Sequence, residues 1–337
     1  MITSTKIQLF APEFSLEDSE RDRLQDALLG LTANPYKQFE GFSEQVRGIA
    51  SSSDVPQSIR DYVAWRHSVS PSTHPVGYFK NAPIDRELPV FDFDEPVNSK
   101  YALKKTFVGE GFLALFAELS GTPAIAYRNV NDGDVFQDIY PKRSMATSQS
   151  QKALGAIAFH KDLANHFVRP DFVYMIGMRA SKINEVLTTF ASNAEVVARF
   201  SETELELAKE VRFTTPFDDL TVAGGAVKVG EADNHPLLEG ESNLRLFENR
   251  TVGLDTEAQN LVDHVVEILH EVQLGVNIQP GDFVITCNNH CVHSKKVLSE
   301  DDKEGLRTRW VIKTVNVYAR APHSKHLVEG VPYLVAG

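Results

Sequence analysis

Cysteine is scarce in this chain: 337 residues carry two, Cys287 and Cys291. A pair spaced CxxxC cannot build a disulfide framework, and the spacing is not the CxxC of redox or zinc motifs. Strand-like alternation around them places both on one face, as small buried hydrophobes in a reducing compartment. No run of about 18 apolar residues occurs, so no membrane span is expected. The start, Met1 to Lys6, lacks the charged end and apolar stretch of a secretory leader, which makes the cytoplasm the expected location. Clustered lysine and arginine are missing too. The formal net charge is −12, and without a basic footprint neither nucleic acid nor an anionic membrane is an expected partner. There is no internal repeat and no Gly/Ser- or Pro-rich linker, which argues for a single domain over residues 1–337.

What is present divides into two patterns. Up to residue 121 the chain reads as helical. Leu24, Ala27, Leu28 and Leu31 form an apolar stripe within Leu16 to Leu31. Further helices are expected over Tyr36 to Ala50, Pro56 to Trp65 and Tyr101 to Leu119, the last stopped by Gly121 and Pro123. From residue 122 onward the elements are short and rich in β-branched and aromatic residues: Ala124 to Arg128, Val135 to Tyr140, Ala156 to Asp162 and Phe172 to Met178. A helical interlude, Ala194 to Lys209, follows. Thr256-x-x-Gln259 has the form of a capping box opening a helix to about Val272. Strands then resume at Val276 to Ile278, Asp282 to Thr286 and Trp310 to Tyr318, with Pro280-Gly281 as a turn. Many short strands without βαβ alternation predict a mainly β sandwich or barrel with flanking helices. Residues 1–121 would buttress it, and about 217–254 would form a lid.

The chemistry-bearing pattern begins at His160-Lys161-Asp162. Residues two apart on a strand share a face, so His160 and Asp162 project together. An imidazole and a carboxylate from one strand can fill two adjacent positions on a metal. A distant histidine would complete a facial triad that leaves the opposite face open. The pattern alone is common: with 11 His and 46 acidic residues, about one or two such matches arise by chance. Farther on, Gly281 to Ser294 reads as a turn, a buried strand and a polar end with two candidate ligands, His290 and His293. Arg307 and Arg309 follow at the start of the last strand, where a guanidinium can fork onto a carboxylate.

In this order the motifs resemble the clavaminate synthase-like family of Fe(II)/2-oxoglutarate-dependent oxygenases, especially its free L-amino-acid hydroxylases, over about Val135 to Tyr318. The resemblance implies a double-stranded β-helix (jelly-roll) core, Fe(II) as metal, and 2-oxoglutarate as cosubstrate. Its reaction would be O2-dependent hydroxylation of an unactivated C–H bond, with release of succinate and CO2. Phe136-Gln137-Asp138-Ile139-Tyr140-Pro141 is similar to a family strand that contacts the substrate head group, which points to Gln137 and Asp138. Gln149-Ser150-Gln151 resembles the segment before the metal strand and adds Ser150. His160-Lys161-Asp162 matches H-x-[ED], and Asn288 to His293 resembles D-N-R-R-A-V-H, which selects His293 over His290. Thr188 or Thr189 falls where the family places a threonine on 2-oxoglutarate, and the spacing from His160 favours Thr188. Arg309-Trp310 resembles D-R-W, so Arg309 is implied as the clamp on the distal carboxylate.

Two departures bear on the substrate. Where relatives carry a second arginine for the substrate carboxylate, this chain has Lys313. Where arginine-using members read R-x-D-x-D, it has Arg245-Leu246-Phe247-Glu248-Asn249, so Phe247 and Asn249 replace the acidic pair. A polar, basic or cyclic free L-amino acid remains open as substrate. Alternatives also stay open at this point: desaturation or cyclisation, a zinc-type hydrolytic His/Asp site, or a metal-binding jelly-roll module without oxygenase activity.

Overall fold

The computed structural model describes residues 7–216 and 232–336. Its strands alternate between two cores, and that alternation explains the layering. The main strands are β1 (Val76–Lys80), β2 (Ala124–Tyr127), β3 (Gln137–Ile139), β4 (Ile157–His160), β5 (Phe172–Arg179), β6 (Val186–Ser192), β7 (Leu274–Val276), β8 (Phe283–Cys287), β9 (Cys291–Val297) and β10 (Trp310–Asn316). The larger sheet runs β2-β10-β5-β8-β1 through its centre, with β3 also on β10. The smaller sheet runs β7-β6-β9-β4. On β5, Phe172, Tyr174, Ile176 and Met178 face one core, while Val173 and Met175 face the other. On β10, Trp310 and Ile312 face the first core, and Val311 and Val315 the second. This is the period of two expected for a sheet buried on both faces.

The first core is closed by helices α1 (Asp18–Leu29), α2 (Phe39–Ala50), α3 (Gln57–Ser68) and α4 (Val108–Leu119). Leu24 and Leu28 of α1, and Phe42, Val46 and Ala50 of α2, are the buried stripes at helical spacing. Helix α4 is buried almost all round, with Phe112 and Phe116 packed edge to face or tilted on Phe283. The stretch expected as one helix from Tyr101 breaks into Pro96–Leu103 and α4. The break lets the buried Lys104 ammonium reach Asp85 at 2.8 Å and Glu110 at 3.2 Å. The expected helix from Ala194 to Lys209 is likewise two, Asn193–Val197 and Glu202–Ala208. Ser201 caps the second in a reciprocal box with Glu204.

The second core lies between the sheets. A third, on the far side of the smaller sheet, packs Phe159, Ala191 and Val292 against Leu261 and Val265 of α5 (Thr256–Val272). Helix α5 starts one residue earlier than its sequence suggests. Asp255 is the cap, accepting from the Ala258 N–H, while Gln259 accepts from the Gly253 N–H instead of closing a box. Gly281 has φ +80°, the conformation a Pro-Gly turn demands of its second residue. The cysteines do not share one strand. Cys287 ends β8 and Cys291 begins β9, because Asn288–His290 form a turn between them. Both thiols are free and buried. Of the expected lid, residues 217–231 lie outside the described residues. The remainder holds a two-stranded pair, Leu238–Glu239 with Asn243–Leu244, and bridges to β4 through Phe247 and His160. Among the described residues, no helix is long and apolar enough to cross a membrane.

Candidate metal centre and active-site cavity

Strands of both sheets line one cavity, with β4, β6 and β9 on one wall and β5 and β10 on the other. In the register of the smaller sheet His293 lies directly opposite His160. Asp162 follows two residues beyond His160, just past the end of β4. One donor atom from each of His160, Asp162 and His293 lies within 4.8 Å of the others. His160 Nε2 is 3.3 Å, and His293 Nε2 3.6 Å, from Asp162 Oδ1.

The protonation states suit a cation. His160 Nδ1 lies 2.9 Å from the Ala158 carbonyl oxygen, which can only accept. The proton is therefore on Nδ1, and Nε2 presents its lone pair to the centre. Burial, with His160 nearby, pushes the His293 imidazole down to about 3, so it stays neutral and available as a ligand. Burial alone would raise the Asp162 carboxyl, but Lys313 and the two histidines hold it well below the usual carboxylate range. Lys313 Nζ sits 2.6 Å from Asp162 Oδ2, leaving Oδ1 toward the histidines. Two imidazole nitrogens and one carboxylate oxygen are the donor types of a non-haem Fe(II) facial triad.

The same cavity also holds a buried guanidinium. Arg309 is buried, and its Nε and Nη2 have no hydrogen-bond partner among the described residues. Burial pushes its guanidinium down to about 10. A buried, unmatched guanidinium is costly unless a ligand carboxylate completes it. Thr188 lines the same cavity, whereas Thr189 faces away and bonds Ser294 at 2.6 Å.

The remaining sequence-derived residues separate into those at the cavity and those away from it. Gln137 lines it beside Lys313, its cross-strand partner, and the buried Gln137 Nε2 has no partner. Ser150 lines it, with its hydroxyl 2.8 Å from Ser148. Phe247 lines it and stacks on His160. Asp138 does not reach the cavity. Its carboxylate pairs with Lys100 at 2.8 Å and accepts from Trp310 Nε1 at 2.9 Å, on the helical side of the sheet. Asn249 does not reach it either, because the chain turns after Phe247 and leaves Asn249 exposed. Glu248 also points elsewhere, accepting from the Phe159 N–H and lying 2.6 Å from His270 Nε2. His290 sits outside the triad, near Ser242.

Two residues at the site were not singled out by their sequence. Asn288 accepts from the Asp162 N–H and donates to the Asp162 and Pro170 carbonyls, so it braces the backbone that carries the carboxylate ligand. Lys295 lines the cavity on the same strand as His293. The histidine–turn–strand pattern flagged their segment, but nothing in it distinguished these side chains from loop or surface polars.

No family model matches the chain. It is 25% identical over 325 residues to clavaminate synthase 2 of Streptomyces clavuligerus, covering 91% of this chain and 93% of that one. Among solved structures, it is similar to asparagine oxygenase in complex with Fe(II), 2S,3S-3-hydroxyasparagine and succinate. That match has a TM-score of 0.82 at 17% identity and covers 96% and 99% of the two chains. It is also similar to the non-heme iron oxygenase OrfP in complex with Fe, succinate and (3S)-hydroxy-L-Arg, with a TM-score of 0.79 at 19% identity, covering 97% and 100%. The likeness to clavaminate synthase 2 runs along almost the whole of both chains, and the fold is shared with these oxygenases.

Proposed function

We propose that this chain is an Fe(II)- and 2-oxoglutarate-dependent dioxygenase that hydroxylates an unactivated C–H bond of a free L-amino acid. The observation that carries the reading is the pairing, in one cavity, of a His160–Asp162–His293 donor set with the unmatched guanidinium of Arg309. In this reading the facing sheets are a double-stranded β-helix core, residues 1–337 act as one oxygenase domain, and the location is cytoplasmic. His160, Asp162 and His293 hold the metal, while Arg309 and Thr188 hold 2-oxoglutarate. Bound Fe(II) and 2-oxoglutarate supply the oxidant: one oxygen atom of O2 enters the C–H bond, the other enters succinate, and CO2 leaves.

The chain's own task is to place the substrate carbon and keep water out. Lys313 offers a charge, and Gln137 an unpartnered amide N–H, to the amino-acid head group. Among the described residues, Asp162 is the single carboxylate on the cavity wall. With Asp138, Glu248 and Asn249 turned away, nothing described there grips a cationic side chain. A polar uncharged or cyclic side chain, contacted by amides such as Gln149, Gln151 and Asn165, suits this wall better than a basic one.

The test is succinate release from Fe(II)-loaded protein across a panel of free amino acids, with mass spectrometry of the products. Gain of one oxygen atom supports hydroxylation, whereas loss of two hydrogens would assign desaturation or cyclisation. Full coupled turnover by His160→Ala would sink the reading. Loss of activity in Arg309→Ala would count against a hydrolytic metal site, which has no use for that guanidinium.

A further inference from the structure

Lys295 is a lysine on the cavity wall with no acidic partner. It stands on β9 two residues after His293, directly opposite Thr188 of β6. Residues opposite each other in a ladder share a face, so Thr188, Lys295 and His293 all project into the space between the sheets. The Lys295 ammonium donates to two backbone carbonyls, Ala153 at 2.7 Å and Leu154 at 3.4 Å. No carboxylate among the described residues pairs with it, and none pairs with Arg309, which lines the same cavity with two unpartnered nitrogens. Two cations facing one cavity from its two walls, without a counter-charge, disfavour the empty state and favour an anion. Asp162 cannot serve, because its oxygens are committed to Lys313 and the histidines.

We propose that Lys295 is a second cationic contact for the distal carboxylate of the cosubstrate, acting beside Arg309 and Thr188. This rests on the 2-oxoglutarate reading above. Arg309 supplies the fork, and Lys295 supplies a point charge from the neighbouring sheet, so the carboxylate bridges the two walls. Through its two carbonyl bonds Lys295 also ties that contact to the segment carrying Ser150. Cosubstrate binding and the substrate wall would then be set by one side chain. The competing role is a staple that only anchors Ala153 and Leu154.

The experiment is anaerobic calorimetry on the Fe(II)-loaded protein with two probes: 2-oxoglutarate, and 2-oxopentanoate, which keeps the chelating end but lacks the distal carboxylate. Lys295→Met is expected to weaken 2-oxoglutarate by about tenfold or more, the scale of one charge-assisted contact. Lys295→Arg should restore most of that loss, and 2-oxopentanoate should bind wild type and Lys295→Met within about twofold. The arginine variant guards against misfolding of the methionine one. Unchanged 2-oxoglutarate affinity in Lys295→Met overturns the proposal, as does an equal loss for both probes, which marks a staple. Wild-type protein that binds Fe(II) but takes up no 2-oxoglutarate overturns the cosubstrate reading itself.

Discussion

The ring of Phe247 lies stacked on the imidazole of His160, with centroids 5.0 Å apart and planes 21° apart. The two residues are also joined by a backbone bridge. A segment far along the chain therefore packs directly on a metal-ligand candidate, on the side where the cavity continues. Phe247 is buried, so Phe247→Ala is expected to cost about 3 kcal/mol of stability, in the usual range for a large-to-small change. Its functional consequence should be larger. With the wall removed, water and misplaced substrate reach the centre, and the ratio of hydroxylated product to succinate should fall to about half or less. Phe247→Leu should keep more of that coupling. Equal ratios in wild type and the alanine variant would show that the stack is only structural.

Metal binding should stabilise the fold, because the donor set exists only when β4 and β9 are paired. At a free Fe(II) concentration 100 times the dissociation constant, the gain is about 2.7 kcal/mol. Thermal melts under anaerobic conditions should show a rise of several degrees, reversed by a chelator. His293→Ala and Asp162→Ala should lose the shift. His290→Ala should keep it, since His290 lies outside the cluster. A shift lost in His290→Ala and kept in His293→Ala would reassign the distal ligand.

Away from the cavity, Glu110 gives the fold a pH dependence of its own. Its side chain is fully buried on α4, within 3.2 Å of Lys104 and accepting from Tyr36 Oη at 2.6 Å. Burial outweighs the Lys104 charge and pushes the carboxyl up to about 7 from an ordinary 4.5. A carboxyl raised in the folded state binds its proton more tightly there than in the unfolded chain. Its contribution is therefore complete below pH 4.5 and fades as pH rises through 7. Glu110→Gln keeps an acceptor for Tyr36 and removes the titration. The variant should flatten the stability profile between pH 4.5 and 7, and be more stable than wild type at pH 8 by about 1–3 kcal/mol. Denaturant midpoints at pH 5 and pH 8 measure this; an unchanged slope would mean that Glu110 stays ionised.

Several features of this site were legible in the sequence for a simple geometric reason. His160 and Asp162 stand two apart at a strand end, so the period of two forces them together. The same period limits the Gln137-Asp138 pair. Adjacent strand residues face opposite ways, so only one can reach the cavity, and Asp138 instead meets Lys100 and Trp310 across the helical core. Phe247 and Asn249 would share a face on a strand, but the chain turns at Glu248 and the pattern fails there. The fold class was readable from short alternating strands, while helix boundaries depended on tertiary partners. Lys104 and its two buried acids break one expected helix, and no local propensity encodes that. Lys295 was hidden for a related reason: a lysine in Ser294-Lys295-Lys296 reads as exposed until the partner strand is known.

Asn288 provides the most direct test of how precisely the carboxylate ligand must be held. It is fully buried in the turn between β8 and β9 and makes three backbone bonds, two of them to Asp162. Asn288→Ala leaves one N–H and two carbonyls without partners in a place water does not reach. The stability cost should be about 2–4 kcal/mol. Because the lost bonds hold the Asp162 backbone, metal affinity should fall as well, by about tenfold on the scale of other outer-shell supports. Asn288→Asp removes only the two donated bonds. Its carboxylate can still accept from the Asp162 N–H but cannot donate to either carbonyl. Metal titrations of the two variants, made at a temperature where both are folded, should therefore show weakened binding in each. Wild-type metal affinity in a folded Asn288→Ala protein would mean that β4 positions Asp162 without this brace.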